Sequence, residues 1–385
     1  MAERVFLHVG TPKSGTTFLQ TLWWANKAAL REQGLLLPGP GVAEHFHASC
    51  VVRGHERLLA SIPEAGHRAW DRVLTRTGEW SGDVLLSHEL FSPASPGNAA
   101  RALEQLGEVA QEVHVVLTVR DLARQLPAEW QQRTKHGRSQ TFADFLTAVQ
   151  DGSSSFWRVQ DGPEVLQRWS AGVPADRVHL VVLPGPGGPR TWLWDALCDV
   201  TGVDGTGMSA PPTSGNESLG LVQAETMRRV SGTLSADGLE KSTERLLKGF
   251  FADQVLRSTS PEKIVLPADL RPWARERAQE MVTRLSSRGY HVVGDLDDLV
   301  PGPDPVDGRQ PEEVTDGEVA TAAVEALARF VRHEESRRAE RPGLAPGADR
   351  DPRPAAPPPA ARSLGRRVRT RLGRLVRRMR GAGRS

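Results

Sequence analysis

Short apolar runs alternate with helix-like segments through the first 200 residues, and this alternation constrains the fold more than any other feature of the chain. The apolar runs cover residues 5–9, 84–87, 113–119 and 177–183. Helical patterns cover residues 16–33, 98–110, 122–133 and 191–200. Strands that are separated by helices favour a parallel sheet covered on both faces. The sequence therefore predicts an α/β fold with a central parallel β-sheet flanked by helices.

The remainder of the chain is predicted to be mainly helical, with two linkers. Gly, Pro, Ser and Thr are concentrated at 202–216, and Pro and Asp are concentrated at 300–316. Such compositions favour surface connections over buried elements. The predicted organisation is a main domain at 1–300 (a cofactor-binding core at 1–200 and a helical continuation at 217–290), a linker plus helix at 301–338, and a disordered, basic segment at 339–385.

One segment near the N-terminus reads HVGTPKSGTTFLQ and lies where the first predicted strand ends and the first helix begins. Unpaired backbone N–H groups and the helix dipole make such a junction an anion site. Gly10 and Gly15 allow the backbone to curl around a phosphate, Lys13 adds a positive charge, and Thr16 and Thr17 add hydroxyl groups. The triphosphatase pattern GxxxxGK[ST] needs a lysine directly after its second glycine, where this chain has Thr16.

The displaced lysine makes TPKSGTTFLQ similar to the 5′-phosphosulfate loop of sulfotransferases that use 3′-phosphoadenosine 5′-phosphosulfate (PAPS). In that family Pro-Lys-Ser-Gly-Thr-Thr follows the first strand and opens the first helix. The resemblance implies a P-loop-like sulfotransferase fold and metal-independent transfer of a sulfuryl group from PAPS to a hydroxyl of a carbohydrate, lipid or other small acceptor. The cofactor-binding residues that it implies in this loop are Pro12, Lys13, Ser14, Gly15, Thr16 and Thr17. The alternative is a Gly-rich turn with solvated hydroxyl groups.

Arg120 ends the most apolar predicted strand, and an arginine at the carboxyl edge of a sheet can bind a phosphate through two hydrogen bonds. An apolar strand followed by Arg-Asp resembles the family's 3′-phosphate motif, which implies that Arg120 also binds PAPS. The family has a serine eight residues later, where this chain has Ala128. The side chains that could compensate are Arg124, Gln125, Arg133 and Lys135. The alternative is that Arg120 binds no ligand and forms a structural pair with an acidic residue.

His88 and Glu89 follow the strand at 84–87 and are the candidate general bases. Sulfuryl transfer to an alcohol requires removal of the hydroxyl proton, which a histidine or a glutamate within hydrogen-bond reach can perform. Relatives use either residue type, and we favour Glu89 over His88. Lys13 is also a catalytic candidate, because an ammonium group would stabilise the charge that develops on the oxygen between sulfur and the leaving phosphate.

The positive charge of the chain is confined to its C-terminal tail. Residues 361–385 contain ten arginines and no acidic residue, and without these ten charges the formal total of +2 becomes −8 for residues 1–360. A basic, nucleic-acid-binding main domain is therefore not expected. Apolar residues at helical spacing within 363–380 favour contact with an anionic membrane surface or a partner, and the alternatives are nonspecific nucleic-acid attraction and an unfolded tail.

The remaining features favour a cytoplasmic protein without a metal. Two cysteines cannot provide a disulfide framework, the N-terminus lacks the pattern of a signal peptide, and no apolar stretch is long enough to span a membrane. We expect the protein in the cytoplasm, or peripheral at the inner face of the membrane. The histidines at 45 and 47 are expected on a loop, solvated or facing substrate. Two rival functions stay open: a nucleotide-dependent kinase or ATPase, and a non-catalytic scaffold that binds adenosine bisphosphate.

Overall fold

The computed structural model describes residues 1–189, 191–209, 219–236, 247–256, 262–302 and 308–339. Within them a six-stranded sheet has the order β2-β3-β1-β4-β5-β6, and every neighbouring pair of strands is parallel. The strands are β1 Ala2–His8, β2 Leu35–Leu36, β3 Asp83–Ser87, β4 Ala110–Val119, β5 Val178–Val182 and β6 His291–Val293. The predicted α/β fold with a central parallel sheet is confirmed.

Helices cover both faces of this sheet. In the described residues the helices are α1 Thr16–Ala25, α2 Lys27–Glu32, α3 Val42–Arg53, α4 Glu56–Leu59, α5 Ala69–Gly78, α6 Pro96–Gly107, α7 Leu122–Lys135, α8 Phe142–Gln150, α9 Phe156–Gln160, α10 Gly162–Trp169, α11 Trp192–Thr201, α12 Leu221–Ala236, α13 Arg271–Ser286 and α14 Asp316–Ala339. A π-helix covers Leu247–Val255.

Alternation along the strands explains the two layers. Successive strand residues point to opposite faces. Val5 and Leu7 therefore pack with the layer that contains α3, α5, α6 and α10, whereas Phe6 packs with α1, α2 and α11. Because both faces are covered, the strands contain almost continuous apolar runs. A third apolar cluster joins α7, α8 and α9 to α12, the π-helix, α13 and α14.

Some elements differ from the prediction. The helix expected at 16–33 is two helices, because the Asn26 side chain donates a 2.8 Å hydrogen bond to the Leu22 carbonyl and ends α1. The edge strands β2 and β6 were not predicted, since two and three residues are too few for a recognisable pattern. Residues 38–62, where the sequence indicated no strand or helix, contain α3 and α4.

The chain divides into a compact unit at residues 1–331 and a second unit from Arg332 onward. The predicted basic helix at 363–380 lies outside the described residues, as do residues 210–216 of the predicted linker at 202–216. No helix in the described part of the chain is both long and apolar enough to cross a membrane.

Candidate functional site

The loop between β1 and α1 has three residues in the left-handed region of backbone space. Gly10 has φ 94°, Gly15 has φ 85°, and Lys13 has φ 64°. A Cβ on Gly10 would lie 2.9 Å from the Cα of Glu89, and a Cβ on Gly15 would overlap the Leu193 side chain. Glycine is therefore needed at both ends of the loop for conformation and for space. The strained Lys13 lies between them.

The N-terminus of α1 is open to an anion. Gly15 occupies the N-cap position, so no side chain caps the helix, and the first turn contains no acidic residue. The first N–H groups of a helix have no partner within it, and the helix dipole makes them attractive to negative charge. Thr16 is buried and Thr17 is exposed at this end of the helix. The predicted anion site is therefore at a helix start that its own sequence leaves uncapped.

Ser14 does not face outward as a ligand hydroxyl would. Its side chain is fully buried, and its Oγ lies 2.5 Å from both the Thr11 carbonyl oxygen and the Thr118 Oγ1. Thr118 Oγ1 lies 3.1 Å from His8 Nε2, and His8 Nδ1 lies 2.8 Å from Ser87 Oγ. This chain of polar contacts crosses β3, β1 and β4 directly below the loop. Ser14 thus stabilises the loop, and only its backbone is available to a ligand.

Burial keeps His8 neutral. Removal from water lowers the pKa of His8 to about 4, and the nearby Glu89 only partly opposes this effect. A neutral imidazole has one donor and one acceptor nitrogen, and both nitrogens here have hydroxyl partners. His8 therefore acts as a neutral structural link between the strand ends.

Lys13 lies against the third turn of α7. Its Nζ donates a 2.6 Å hydrogen bond to Gln132 Oε1. Glu129, one turn earlier on the same helix, is also within electrostatic reach of Lys13 and accepts a 3.3 Å hydrogen bond from Arg133. Burial raises the pKa of Glu129, against the opposing charges of Arg133 and Lys13. The ammonium group thus lies in a largely buried polar environment at the carboxyl edge of the sheet.

Arg120 is linked to the loop through one side chain. Its Nε donates to Gln125 Oε1 at 2.9 Å, and Gln125 Nε2 donates to the Pro12 carbonyl at 2.6 Å. Arg120 Nη2 donates to the Arg124 carbonyl at 2.7 Å. Burial, together with the charge of Arg124, lowers the pKa of Arg120 to about 10, and Asp121 opposes this effect.

No carboxylate among the described residues forms an ion pair with Arg120. The adjacent acid, Asp121, pairs with Arg124 and caps α7 through the Arg124 backbone N–H. Buried charges in proteins are ordinarily paired, because an isolated one is costly to remove from water. A partly buried guanidinium with only amide and carbonyl partners therefore fits an anionic ligand, and the alternative, a structural pair of Arg120 with an acid, is not found among the described residues.

The residues considered as substitutes for the absent serine at Ala128 have different contacts. Gln125 contacts both Arg120 and the loop. Arg124 is held by Asp121 and by the Pro184 carbonyl, and Arg133 is held by Glu129 and Ser155. Gln125 is thus the residue that connects the two predicted anion contacts.

The two candidate bases have different environments at the end of β3. His88 caps a 3₁₀ turn at Glu89–Phe91, and its Nδ1 accepts a 3.1 Å hydrogen bond from the Leu90 N–H. A neutral imidazole that accepts at Nδ1 carries its hydrogen on Nε2, so that ring has no nitrogen ready to remove a proton. Glu89 instead accepts a 3.2 Å hydrogen bond from Gln20 and lies against Gly10 of the loop.

Glu89 is held in its ionised form. Burial opposes ionisation, but a positive charge on His88, the backbone N–H of Glu89 and the Gln20 amide lower the pKa of Glu89 below its usual value. While His88 is neutral, the two N–H donors still favour the carboxylate. The carboxylate is 26% exposed, so it remains accessible from the edge of the sheet. These features favour Glu89 over His88 as a proton acceptor.

The sequence predicted that the histidines at 45 and 47 lie on a loop, but both lie on α3. His45 is buried, with Nε2 3.0 Å from the Pro38 carbonyl oxygen and Nδ1 accepting from the Ser87 N–H. Burial lowers its pKa to about 4, against the opposing effect of the Pro38 hydrogen bond. The expectation of a solvated or substrate-facing His45 was wrong, because α3 packs on the sheet. The described residues contain no cluster of three or more His, Cys, Asp or Glu side chains arranged for a metal ion.

Several polar residues at this edge were not found from the sequence. Gln20 supports Glu89, Gln132 contacts Lys13, and Gln160 of α9 donates a 3.2 Å hydrogen bond to the Pro12 carbonyl. Glutamines within amphipathic helices resemble ordinary surface positions, so nothing in the pattern singled them out. His8 had a usable signal, since it is a polar residue at the end of an apolar strand, directly before the loop.

Comparison of the chain with family models, with curated proteins and with solved structures gave no match.

Proposed function

We propose that the protein is a PAPS-dependent sulfotransferase. The observation that carries the proposal is that Gln125 connects Arg120 to the glycine-bounded loop that contains Lys13. Arg120 has no carboxylate partner among the described residues. PAPS has two anionic ends, a 5′-phosphosulfate and a 3′-phosphate. The loop and the open N-terminus of α1 fit the first end, and Arg120 fits the second.

In the proposed reaction the acceptor hydroxyl attacks the sulfur atom in line with the departing 5′-phosphate. Glu89 removes the hydroxyl proton while the new S–O bond forms. The S–O bond to the phosphate breaks, and its electron pair remains on that phosphate oxygen. Lys13 stabilises this developing charge. The products are a sulfate ester and adenosine 3′,5′-bisphosphate, with the proton on Glu89, from which it passes to solvent.

The support for each role is local. Glu89 is ionised, accessible and adjacent to the loop, whereas the Nδ1 of His88 is occupied by a backbone N–H. The position of Lys13 inside the loop, together with Thr16 after Gly15, distinguishes this chain from a triphosphatase. The acceptor is a carbohydrate, lipid or other small molecule with a free hydroxyl, and the protein is proposed to act in the cytoplasm without a metal.

The test is an assay of the full chain with ³⁵S-labelled PAPS and a panel of hydroxyl acceptors, with and without a chelator. We expect label in the acceptor, matching release of adenosine 3′,5′-bisphosphate, and no effect of the chelator. Turnover that needs ATP and magnesium would instead support a kinase or ATPase. Tight binding of adenosine 3′,5′-bisphosphate without transfer to any acceptor would support a non-catalytic scaffold.

A further inference from the structure

A second concentration of positive charge lies beside a cavity next to the segment that carries Glu89. The cavity has a volume of about 470 Å³, and its lining includes Ala94, Ser95, Arg158, Glu164, Gln167 and Arg168. Arg53 is also within electrostatic reach of Arg158. The guanidinium groups of Arg53, Arg158 and Arg168 therefore belong to one local cluster, which we call the arginine cluster.

Two carboxylates, Glu164 and Asp161, are within electrostatic reach of Arg168, but the cluster donates its hydrogen bonds to backbone carbonyl groups. Arg158 donates to the Pro93 carbonyl at 3.2 Å, and Arg168 donates to the carbonyls of Ser92 and Arg158 at 2.9 and 2.7 Å. None of the described carboxylates forms an ion pair with these arginines. Glu164, which lines the cavity, pairs with Arg284 at 2.5 Å.

Two buried polar atoms in this region lack a hydrogen-bond partner among the described residues. They are Arg168 Nε and Ser92 Oγ, and Ser92 is fully buried. Burial, with the charge of Arg158, lowers the pKa of Arg168, although Glu164 opposes this effect. A buried donor without a partner is destabilising. The region thus combines several guanidinium groups, two polar atoms without a hydrogen-bond partner among the described residues, and a cavity.

The N-terminus of α6 adds to the same field. Ser95 caps this helix, accepting a hydrogen bond from the Asn98 N–H, and Pro96 follows as its first residue. Ser95 and Pro96 both line the cavity, so the positive end of the α6 dipole is directed toward it.

Contacts connect this cavity to the candidate active site. Arg158 lies at the cavity, and Gln160, two residues later on α9, binds the Pro12 carbonyl of the loop. On α10, Arg168 binds the Ser92 carbonyl and Trp169 binds the Phe91 carbonyl, in the segment that follows Glu89. Ala94 follows Glu89 by five positions, so their Cα atoms are at most about 18 Å apart.

We propose that this cavity binds an anionic group of the acceptor, so that the acceptor hydroxyl reaches Glu89 while a sulfate or carboxylate on the same molecule contacts the arginine cluster. The substrate class is then an acidic hydroxyl compound, such as a saccharide with a sulfate or a carboxylate group. That this ligand is a sulfate acceptor rests on the proposed sulfotransferase function. Binding of an anionic compound at the cavity is measurable without turnover.

The experiment is calorimetric titration of the full chain with a sulfated disaccharide, a carboxylated disaccharide and their uncharged parent. In the first titration adenosine 3′,5′-bisphosphate is present at saturation and occupies the loop. The titration is then repeated without nucleotide in Lys13→Ala. Neither titration therefore measures binding of the disaccharide to the intact, empty loop. We expect at least one anionic disaccharide to bind at least tenfold more tightly than the parent. The two anionic disaccharides distinguish the sulfate from the carboxylate form of the ligand.

Arg158→Gln tests the cluster with little risk to folding, because this side chain is exposed. It should weaken the anionic disaccharide at least tenfold, since a charge-assisted hydrogen bond is lost. Arg68→Gln, the same change at an arginine whose side chain is 82% exposed on another surface, should have no effect. Glu164→Gln should strengthen binding a few-fold, because it removes a nearby carboxylate.

Equal binding of charged and uncharged disaccharides, or an unchanged affinity in Arg158→Gln, would overturn the proposal. Failure of the protein to bind adenosine 3′,5′-bisphosphate would instead count against the proposed function, and anion binding at the cavity would still be decided by the Lys13→Ala titration. If the protein transfers sulfate, Arg158→Gln should raise the KM for an acidic acceptor at least tenfold and leave the KM for PAPS unchanged.

Discussion

Charged groups at the two ends of the sheet have different kinds of partner. Near the amino ends of the strands, Arg4 donates two hydrogen bonds to Asp83, at 3.0 and 2.5 Å, and Arg177 pairs with Glu112 at 2.7 Å. At the carboxyl end of β4, Arg120 contacts an amide and a carbonyl and has no ion pair among the described residues.

The opposite pKa directions of the two arginines express this difference. The hydrogen bond to Asp83 raises the pKa of Arg4, whereas burial lowers that of Arg120 to about 10. At the amino end Asp83 supplies a counter-charge for Arg4, whereas at the carboxyl end no described carboxylate pairs with Arg120, although Asp121 pairs with Arg124. We therefore propose that Arg4 stabilises the fold, whereas Arg120 is held for a ligand. The following changes test this distinction.

The largest effect is expected from Glu89→Gln. Removing a general base should lower kcat by about 10²–10⁴ with little change in PAPS affinity. The measurement is steady-state transfer of ³⁵S-sulfate to an acceptor. Glu104→Gln, on the exposed side of α6, is the matched control. His88→Asn, which retains an acceptor for the Leu90 N–H, should cost less than tenfold, and the reverse order of the two effects would assign the base to His88.

Lys13→Ala should lower kcat by about 10²–10³, because a charge that stabilises the leaving oxygen is lost. The control is Lys263→Ala at an exposed position. Single-turnover rates at saturating PAPS separate this effect from binding. A rate within twofold of the original would contradict the role of Lys13, and the carboxyl end would then lose its proposed catalytic cation.

Arg120→Ala and Arg4→Ala test the two ends of the sheet directly. Arg120→Ala should weaken adenosine 3′,5′-bisphosphate by about 10–100-fold, because charge-assisted hydrogen bonds to a phosphate are lost. Arg4→Ala should leave this affinity unchanged and lower the free energy of unfolding by about 1–2 kcal/mol, a partly exposed pair being worth less than a buried one.

Calorimetric titration and urea unfolding of both arginine variants provide the measurements. If Arg4→Ala weakens nucleotide binding as much as Arg120→Ala does, the distinction between the two ends is wrong.

The last effect concerns stability in acid, and it involves both ends of the sheet. Burial lowers the pKa of His8 and of His179 to about 4, with His114 and His291 adding to the effect on His179. Below the ordinary value of about 6.5 the unfolded chain takes up protons that these native side chains exclude. Stability is therefore lost as pH falls from about 6.5 toward 4, by up to about 1.4 kcal/mol per pH unit for each histidine.

Urea unfolding between pH 7 and pH 5 measures this slope. His179→Gln should reduce it by the contribution of one proton, and so should His8→Gln. An unchanged slope in both variants would show that neither side chain is excluded from protonation. A change in only one of them would assign the acid sensitivity to one end of the sheet.

The sequence was sufficient for the main strands, because apolar runs covered on both faces are continuous and easy to recognise. It was also sufficient for the loop conformation, since glycines at 10 and 15 are required by positive φ and by close contacts. The sequence did not indicate the polar partner of Lys13, and it offered Gln125 only as one of four side chains that could act beside Arg120. Gln132 and Gln125 lie more than 100 residues from the loop that they contact, and only the packing of α7 brings them there.

The placement of α3 was missed for a similar reason. Its histidines suggested an exposed segment, but the helix packs against β3 and the 3₁₀ turn, where His45 accepts a hydrogen bond from the Ser87 backbone. Neighbouring elements determine whether such a residue is buried. The structural reason for proposing Glu89 over His88 as the base is likewise a single backbone contact, from Leu90, that residue type does not reveal.

The amide of Gln125 has one further consequence. Its oxygen accepts from Arg120 and its nitrogen donates to Pro12, so a flipped amide would break both contacts. This side chain therefore sets a fixed distance between the two anchoring points, much as a spacer does. Under the proposed function, a compound with a single phosphate would engage one anchor only, and selectivity for a doubly anionic adenylate would follow from molecular length as well as from charge.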